Sequence, residues 1–281
     1  MRIVRVDAIR DSVKKMAMDA AYYLPQDVKS SLFRAKEKEK WSLARDTLSQ
    51  IIENAEVAKN TCSPICQDTG MAVLFVEIGQ DVHIEGGFIE DAINEGVREA
   101  YIEGYLRKSV VKDPVYNREN TKDNTPAIIN YSIVKGEGLH ISFAAKGFGS
   151  ENMSRLYMLK PSDGVEGVKK AILETVELAG PNPCPPIVVG VGIGGSVDRV
   201  ALIAKKALMR DMDSYNPDPY YEALEKEMLE KINALGIGPQ GYGGYTTALR
   251  VFIETYPTHI AGLPLCININ CHATRHKEVD L

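Results

Sequence analysis

Over residues 7–55 the apolar positions recur with a helical period: Val13, Met16, Met18 and Ala21, then Trp41, Leu43, Leu48, Ile51 and Ile52, with polar residues between them. This predicts helices throughout that stretch. Residues 71–78, opening MAVLFVEIG, are too short a run and too rich in Val and Phe for a helix, and predict a strand. FIEDAINEGVREAYIEGYL, residues 88–106, returns to the helical period. Residues 126–134 and 138–145 predict two strands joined at Lys135-Gly136-Glu137-Gly138, a turn of hairpin type. KGFGSEN, residues 146–152, predicts an irregular glycine loop.

The second half continues the alternation. A helix is expected at 163–179, followed by the loop GPNPCPP and a buried strand, IVVGVGI. Helices are expected at 197–209 and 218–234, while GIGPQGYGGY, residues 236–245, holds too many glycines for regular structure. Two apolar stretches close the chain, TTALRVFIETY and LPLCININC, the latter a strand. No repeat, low-complexity segment or Pro/Ser linker divides it. The expected fold is α+β, a single intertwined unit of helices and mixed sheet.

Composition narrows the classes. In 281 residues, 44% are hydrophobic and 25% charged, enough apolar material for a core. A net charge of −5 offers no global attraction to nucleic acid or an anionic membrane. No apolar run is long enough to span a bilayer, and the N-terminal stretch is interrupted by charge throughout, so the expected compartment is the cytoplasm. Five cysteines, Cys62, Cys66, Cys184, Cys266 and Cys271, make an odd count and argue against a disulfide framework.

Several motifs carry candidate chemistry. Gly190-Val191-Gly192-Ile193-Gly194-Gly195 fits a dinucleotide fingerprint, with Asp211 at the right distance, but no strand lies between them. Tight packing of helix on sheet is the better reading, and no Walker lysine is present. Cys66 follows Pro-Ile, Cys184 sits within Pro-Asn-Pro-Cys-Pro-Pro, and Cys271 ends LCININC. Proline-rich turns hold a side chain in one direction, as a metal site requires; unrelated buried thiols remain the alternative. Cys266 alternates with Leu265 and Ile267 as a buried strand residue does, and Cys62 is either a ligand or a solvated loop residue. His272 and His276 stand four apart and would share a helix face, with Arg275 between them. His83 and His140 read as structural strand residues, and His259 as a turn residue able to orient a substrate. Arg107, in LRKS at the expected end of a helix, is either a partner of the helix dipole or a bidentate carboxylate clamp.

Taken in order, PICQDTG, LRKSVV, KGFGSEN, the NPCPP loop, GIGGSVDRV, PQGYGG and CININCHATRH resemble the α subunit of class I, iron–sulfur fumarate hydratases and of the related L(+)-tartrate dehydratases. The resemblance covers nearly the whole chain. It implies one iron–sulfur hydro-lyase α domain over 1–281, helical to about residue 60 and cluster-binding from 61 onward. It implies a 4Fe–4S cluster on Cys66, Cys184 and Cys271, one thiolate short of full ligation, so that one iron stays open to substrate as a Lewis acid. Such an exposed iron is expected to be oxygen-sensitive. The resemblance places Gln67 and Asp68 against the substrate, with Asp68 the acid/base on the hydroxyl side. Arg107 and Gly149 match carboxylate-binding positions, and His259 a histidine near the same pocket. Many relatives have KGGGSEN; here Phe148 takes the middle position.

Single-chain relatives continue into a second domain that supplies further substrate clamps and the base for the carbon-bound proton. The expectation is therefore the α half of a two-subunit enzyme, needing a β subunit, dimerising through α, and forming a heterotetramer of two α and two β chains. The implied reaction is reversible hydration of fumarate to (S)-malate, a step of the tricarboxylic acid cycle, with the dicarboxylate as the small-molecule partner. The rival within the family is dehydration of L(+)-tartrate to oxaloacetate. The rival outside it is a non-enzymatic iron–sulfur protein, with Cys62 or Cys266 as a fourth ligand.

Overall fold

The computed structural model describes residues 2–281. Strand β1 (Arg2–Arg5) leads into α1 (Val6–Tyr22), α2 (Gln26–Lys38) and α3 (Ser42–Thr61), then β2 (Met71–Gly79), β3 (Val82–Glu85) and α4 (Ile89–Glu103). Next come β4 (Ile128–Val134), β5 (Leu139–Lys146), the single turn α5 (Phe148–Glu151), β6 (Arg155–Leu159), α6 (Gly164–Ala179) and β7 (Ile187–Gly194). The chain closes with α7 (Val197–Ala207), α8 (Pro219–Ala234), β8 (Ala248–Tyr256), β9 (Leu263–Asn270) and β10 (His276–Asp280). The fold is α+β with mixed sheets, as the periodicity predicts. Among the described residues no helix is long and apolar enough to cross a membrane.

Contacts divide the chain into two compact units. One comprises the chain up to Pro25, Ala55–Phe148 and Arg275–Leu281; the other comprises Gln26–Asn54 and Gly149–Thr274. The segments alternate along the sequence, so no linker composition marks a boundary.

In the first unit, α1 and α4 bury Ile9, Val13, Met16, Ala17, Ile93 and Val97 against Leu74 and Val76 of β2 and Ile141 and Phe143 of β5. The sheet order is β10-β5-β2-β4. This corrects the expected hairpin: β4 and β5 do not pair. The most apolar run, β2, lies between them, parallel to β4 and antiparallel to β5. A strand buried from Ala72 to Val76 needs neighbours on both edges. The turn at 135–138 instead wraps the end of β2, where Gly79 N donates to Gly138 O at 2.8 Å and Asp81 N donates to Gly136 O at 3.0 Å.

Two local expectations are also corrected. KGFGSEN is not wholly irregular, because its middle forms α5. His272 and His276 share no helix: His276 opens β10, paired opposite Ala144 of β5, and pairing with an exposed sheet edge overrides the four-residue spacing. His83 and His140 do lie on strands, β3 and β5.

The second unit is a four-stranded sheet in the order β6-β9-β7-β8 with helices on both faces. Alternation along β7 sorts its side chains. Ile187, Val189 and Val191 join Val168, Ile172 and Val176 of α6 and Leu224, Met228 and Ile232 of α8. The glycines point the other way. A Cβ at Gly190 would lie 2.3 Å from Ala204 O, and one at Gly192 2.3 Å from Val200 O. Close approach of α7 thus explains GVGIGG, and α8 rather than a strand follows α7.

Cys266 packs with Val200 and Ala204 on that α7 face. Burial pushes its thiol up to about 11. The folded state therefore binds this proton more tightly than the unfolded chain, and the associated stability is present below the ordinary thiol range and is lost as pH rises toward 11. At pH 8, iodoacetamide is expected to modify the exposed Cys184 and spare Cys266, as peptide mass mapping would show.

Candidate active-site turn

SPICQDTG enters from the end of α3 and leaves into β2. Ile65 anchors it, buried, with its N–H donating to Ala21 O at 2.9 Å. Cys66 is half-buried and donates its thiol hydrogen to Gln67 Oε1 at 3.4 Å; Gln67 itself is exposed. Asp68 then turns inward. Its Oδ1 accepts from Gly70 N at 2.9 Å and its Oδ2 from Phe148 N at 2.8 Å. Its main-chain carbonyl accepts from Arg275 Nη1 at 2.7 Å. The carboxylate is thus oriented by two backbone amides and its backbone by a guanidinium.

Two glycines make this possible. Gly70 has φ +82, and a Cβ there would lie 2.7 Å from Ala145 C. Gly147 touches the same corner: a Cβ on it would sit 3.3 Å from Asp68 Oδ2 and 3.4 Å from Arg275 Nη2. Gly70→Ala combines left-handed strain with overlap against backbone, and is expected to cost roughly 2–4 kcal/mol in chemical denaturation. Unchanged stability would show that the turn is less tightly seated.

Sequence reasoning gives Arg275 only as a cation between histidines. It is in fact 2% exposed, and its Nε lacks a hydrogen-bond partner. A solitary arginine in CHATRH carries no local signal of burial, because β10 that delivers it is short and polar. Phe148 acts through its backbone amide, which no side-chain pattern reveals.

Arg107 lies past the end of α4 with its side chain exposed, and its carbonyl accepts from Thr69 Oγ1 at 3.1 Å. Cys66, Gln67, Asp68 and the Arg107 segment are therefore gathered in the first unit. Beneath them Tyr101 is fully buried. Its hydroxyl contacts Gly70 O at 2.8 Å and Thr69 O at 3.1 Å. Burial raises the Tyr101 phenol well above its ordinary range, so it is a permanent donor to the turn.

In the second unit, Cys184 sits in NPCPP at φ +56, exposed, with its N–H donating to Pro181 O at 3.0 Å. Cys271 follows β9 and is half-buried. His272 links them: its Nδ1–H donates to the Cys184 carbonyl at 2.9 Å. Gln240, from PQGYGG, donates its Nε2 to Pro185 O at 2.9 Å and lies 3.2 Å from the same imidazole nitrogen. Glu39 ties down that glycine loop, its Oε2 accepting from Tyr245 N at 2.8 Å. Gly149 stands beside this corner; a Cβ on it would meet only Asn182 O, at 3.7 Å.

Cys184, Cys271 and Gly149 thus share one end of the sheet, where β6 and β7 begin and β9 ends. His259 lies at the other end, after β8, whose Tyr256 pairs opposite Gly194. The length of β7, roughly 20 Å, separates those ends. His259 is exposed, accepts from Ala261 N at 3.2 Å through Nδ1, and lines a cavity of about 360 Å³ with Ile193, Leu224 and Ile260.

Among the described residues, no three or more His, Cys, Asp or Glu side chains gather closely enough to share one metal ion. As ligand types, thiols suit iron: Cys66, Cys184 and Cys271 are in no disulfide, none is fully buried, and each lies outside the helices and strands.

The family model described as Fumarate hydratase (Fumerase) matches residues 10–280. The "Putative L(+)-tartrate dehydratase subunit alpha" of Methanocaldococcus jannaschii is 47% identical over 281 residues, covering 97% of this chain and 98% of that one. An L(+)-tartrate dehydratase subunit alpha of Escherichia coli is 32% identical over 254 residues, covering 90% of this chain and 84% of its own length, and that of Shigella sonnei matches to the same extent. With its Asp68 turn braced by two backbone amides and its family match running through nearly every element, the chain belongs to the fumarate hydratase (Fumerase) family and is a hydro-lyase.

Proposed function

We propose that this chain is the α subunit of an iron–sulfur hydro-lyase that, with a β subunit, reversibly hydrates fumarate to (S)-malate. The observation that carries the reading is the Asp68 turn, where an oriented carboxylate stands two residues from a free thiol. Support for the reaction class comes from the family match, and support for a subunit role from the relatives' names. A heterotetramer with an α–α contact belongs to the same proposal.

Cys66, Cys184 and Cys271 would hold a 4Fe–4S cluster. When bound, that group supplies a Lewis acid for the hydroxyl and an adjacent carboxylate oxygen. The chain's own residues do the rest. Asp68 moves the proton at the substrate hydroxyl, held in line by Gly70 N and Phe148 N. Gln67, exposed beside it, hydrogen-bonds the substrate. Arg107 and the amides around Gly149 take the carboxylates, the guanidinium in bidentate fashion. No step is assigned to His259, whose sheet end is distant from Cys184 and Cys271.

A second reading, dehydration of L(+)-tartrate to oxaloacetate, is favoured by the names of the relatives. (S)-Malate and L(+)-tartrate differ by a hydroxyl, which a few polar contacts discriminate. The complex of α with its β partner, assayed anaerobically on fumarate, (S)-malate and L(+)-tartrate, is expected to prefer the fumarate–malate pair. A higher kcat/KM for tartrate moves the assignment to the second reading. Inactivity on all three overturns both.

A further inference from the structure

Asn124 belongs to no motif, yet it is fully buried and held at φ +63. Its Oδ1 accepts from Ser109 N at 2.7 Å and from Val110 N at 3.2 Å. Its Nδ2 donates to Gly70 O at 3.1 Å, the same carbonyl that Tyr101 Oη contacts. One amide side chain therefore joins the turn that carries Asp68 to the segment that carries Arg107. Thr69 Oγ1, donating to Arg107 O, is a second tie between the same two segments. The Arg107 main chain is fixed at its own carbonyl and again at the amides of Ser109 and Val110.

We propose that Asn124 is a positioning residue that sets the spacing between Asp68 and Arg107, with Thr69 as its accessory. This rests on the roles given to Asp68 and Arg107 above. The physical basis is register. The proton-transfer group and the carboxylate clamp sit on separate loops, and a shift of about 1 Å between them is enough to spoil a reactive geometry. A side chain that uses its acceptor on one loop and its donor on the other converts two adjustable loops into one rigid pair. Asparagine suits the position because it tolerates left-handed backbone and carries both functions on one planar group.

The test is a variant cycle on the α–β complex. Asn124→Ala is expected to lower kcat/KM for the dicarboxylate by roughly ten- to a hundredfold, mostly through KM, with Thr69→Val showing the same signature more weakly. In an Arg107→Ala background each is expected to change kcat/KM by less than about twofold, because the clamp they position is gone. An equal multiplicative fall in both backgrounds overturns the proposal. Hydrogen–deuterium exchange on the full chain supplies a readout that needs no turnover. Asn124→Ala should speed exchange at Gly70 and at Ser109 and Val110 together, and acceleration of one segment alone overturns the coupling. Should Asn124→Ala fail to fold, Thr69→Val carries the same cycle. A wild-type complex inactive on every C4 dicarboxylate would overturn the functional reading, and the exchange result would then decide the coupling by itself.

Discussion

Asp68→Asn is expected to lower turnover of the α–β complex by about 10²–10⁴-fold, the range typical of losing a general acid/base. The substitution leaves shape and volume nearly intact, so the loss should be chemical. In the native turn both carboxylate oxygens accept backbone N–H groups, from Gly70 and Phe148. An asparagine has one acceptor oxygen, so one of those amides loses its partner, at about 1–3 kcal/mol. The fold should survive that cost, because Ile65, Thr69 and the carbonyl of residue 68 keep their own anchors. Turnover and thermal melting measured on the same preparation separate the two effects. Near-normal turnover removes Asp68 from the chemistry, whereas a collapsed melting temperature would make its role structural.

Cys184→Ser is expected to abolish iron and sulfide loading, while Cys266→Ser loads fully. The two thiols stand in opposite environments. Cys184 is exposed on a proline-bounded turn, so removing its sulfur costs the fold little and deprives a soft metal of a soft ligand. Cys266 is packed under α7, so a hydroxyl there costs about 1–3 kcal/mol of stability with no effect on iron. Iron and acid-labile sulfide counted per chain after anaerobic reconstitution provide the check. A full complement in Cys184→Ser, or an empty Cys266→Ser, reverses the assignment.

Legibility followed the range of the forces involved. Helices α1, α3 and α4 and strands β2, β7 and β9 announced themselves because each buries a face whose period is written in a dozen neighbouring residues. The GVGIGG packing was also readable, since glycine against a helix is a local consequence of β-strand alternation. Strand neighbours were not. The apparent hairpin of β4 and β5 failed because pairing is decided by which run needs two partners, and that run, β2, lies some fifty residues upstream of β4 in sequence. The strands β1, β3 and β10 are four or five residues long with one or two apolar positions each, too few to mark a period, and His276 belongs to one of them.

The candidate site divides the same way. Cys66, Gln67 and Asp68 stand together in PICQDTG, and Cys184 and Cys271 in two other short motifs, so these candidates are visible as side-chain types. Arg275, Phe148 N and Asn124 act through a buried guanidinium, a main-chain amide and a side-chain amide in a loop, each brought to Asp68 or its turn from 54 or more residues away. Those partners follow from topology, which a motif does not contain. Even the glycines changed emphasis: in KGFGSEN the crowded one is Gly147, beside Asp68, while Gly149 has space.

The most direct measurement is electron paramagnetic resonance on the anaerobically reconstituted chain with its β partner, before and after brief exposure to air. Three cysteine ligands would leave one iron without a protein thiolate, so air should remove that iron alone, yield a three-iron signal and extinguish activity in parallel. A spectrum and an activity that both withstand air would mean a fully ligated centre, and would contradict the three-thiolate site on which the proposed chemistry depends.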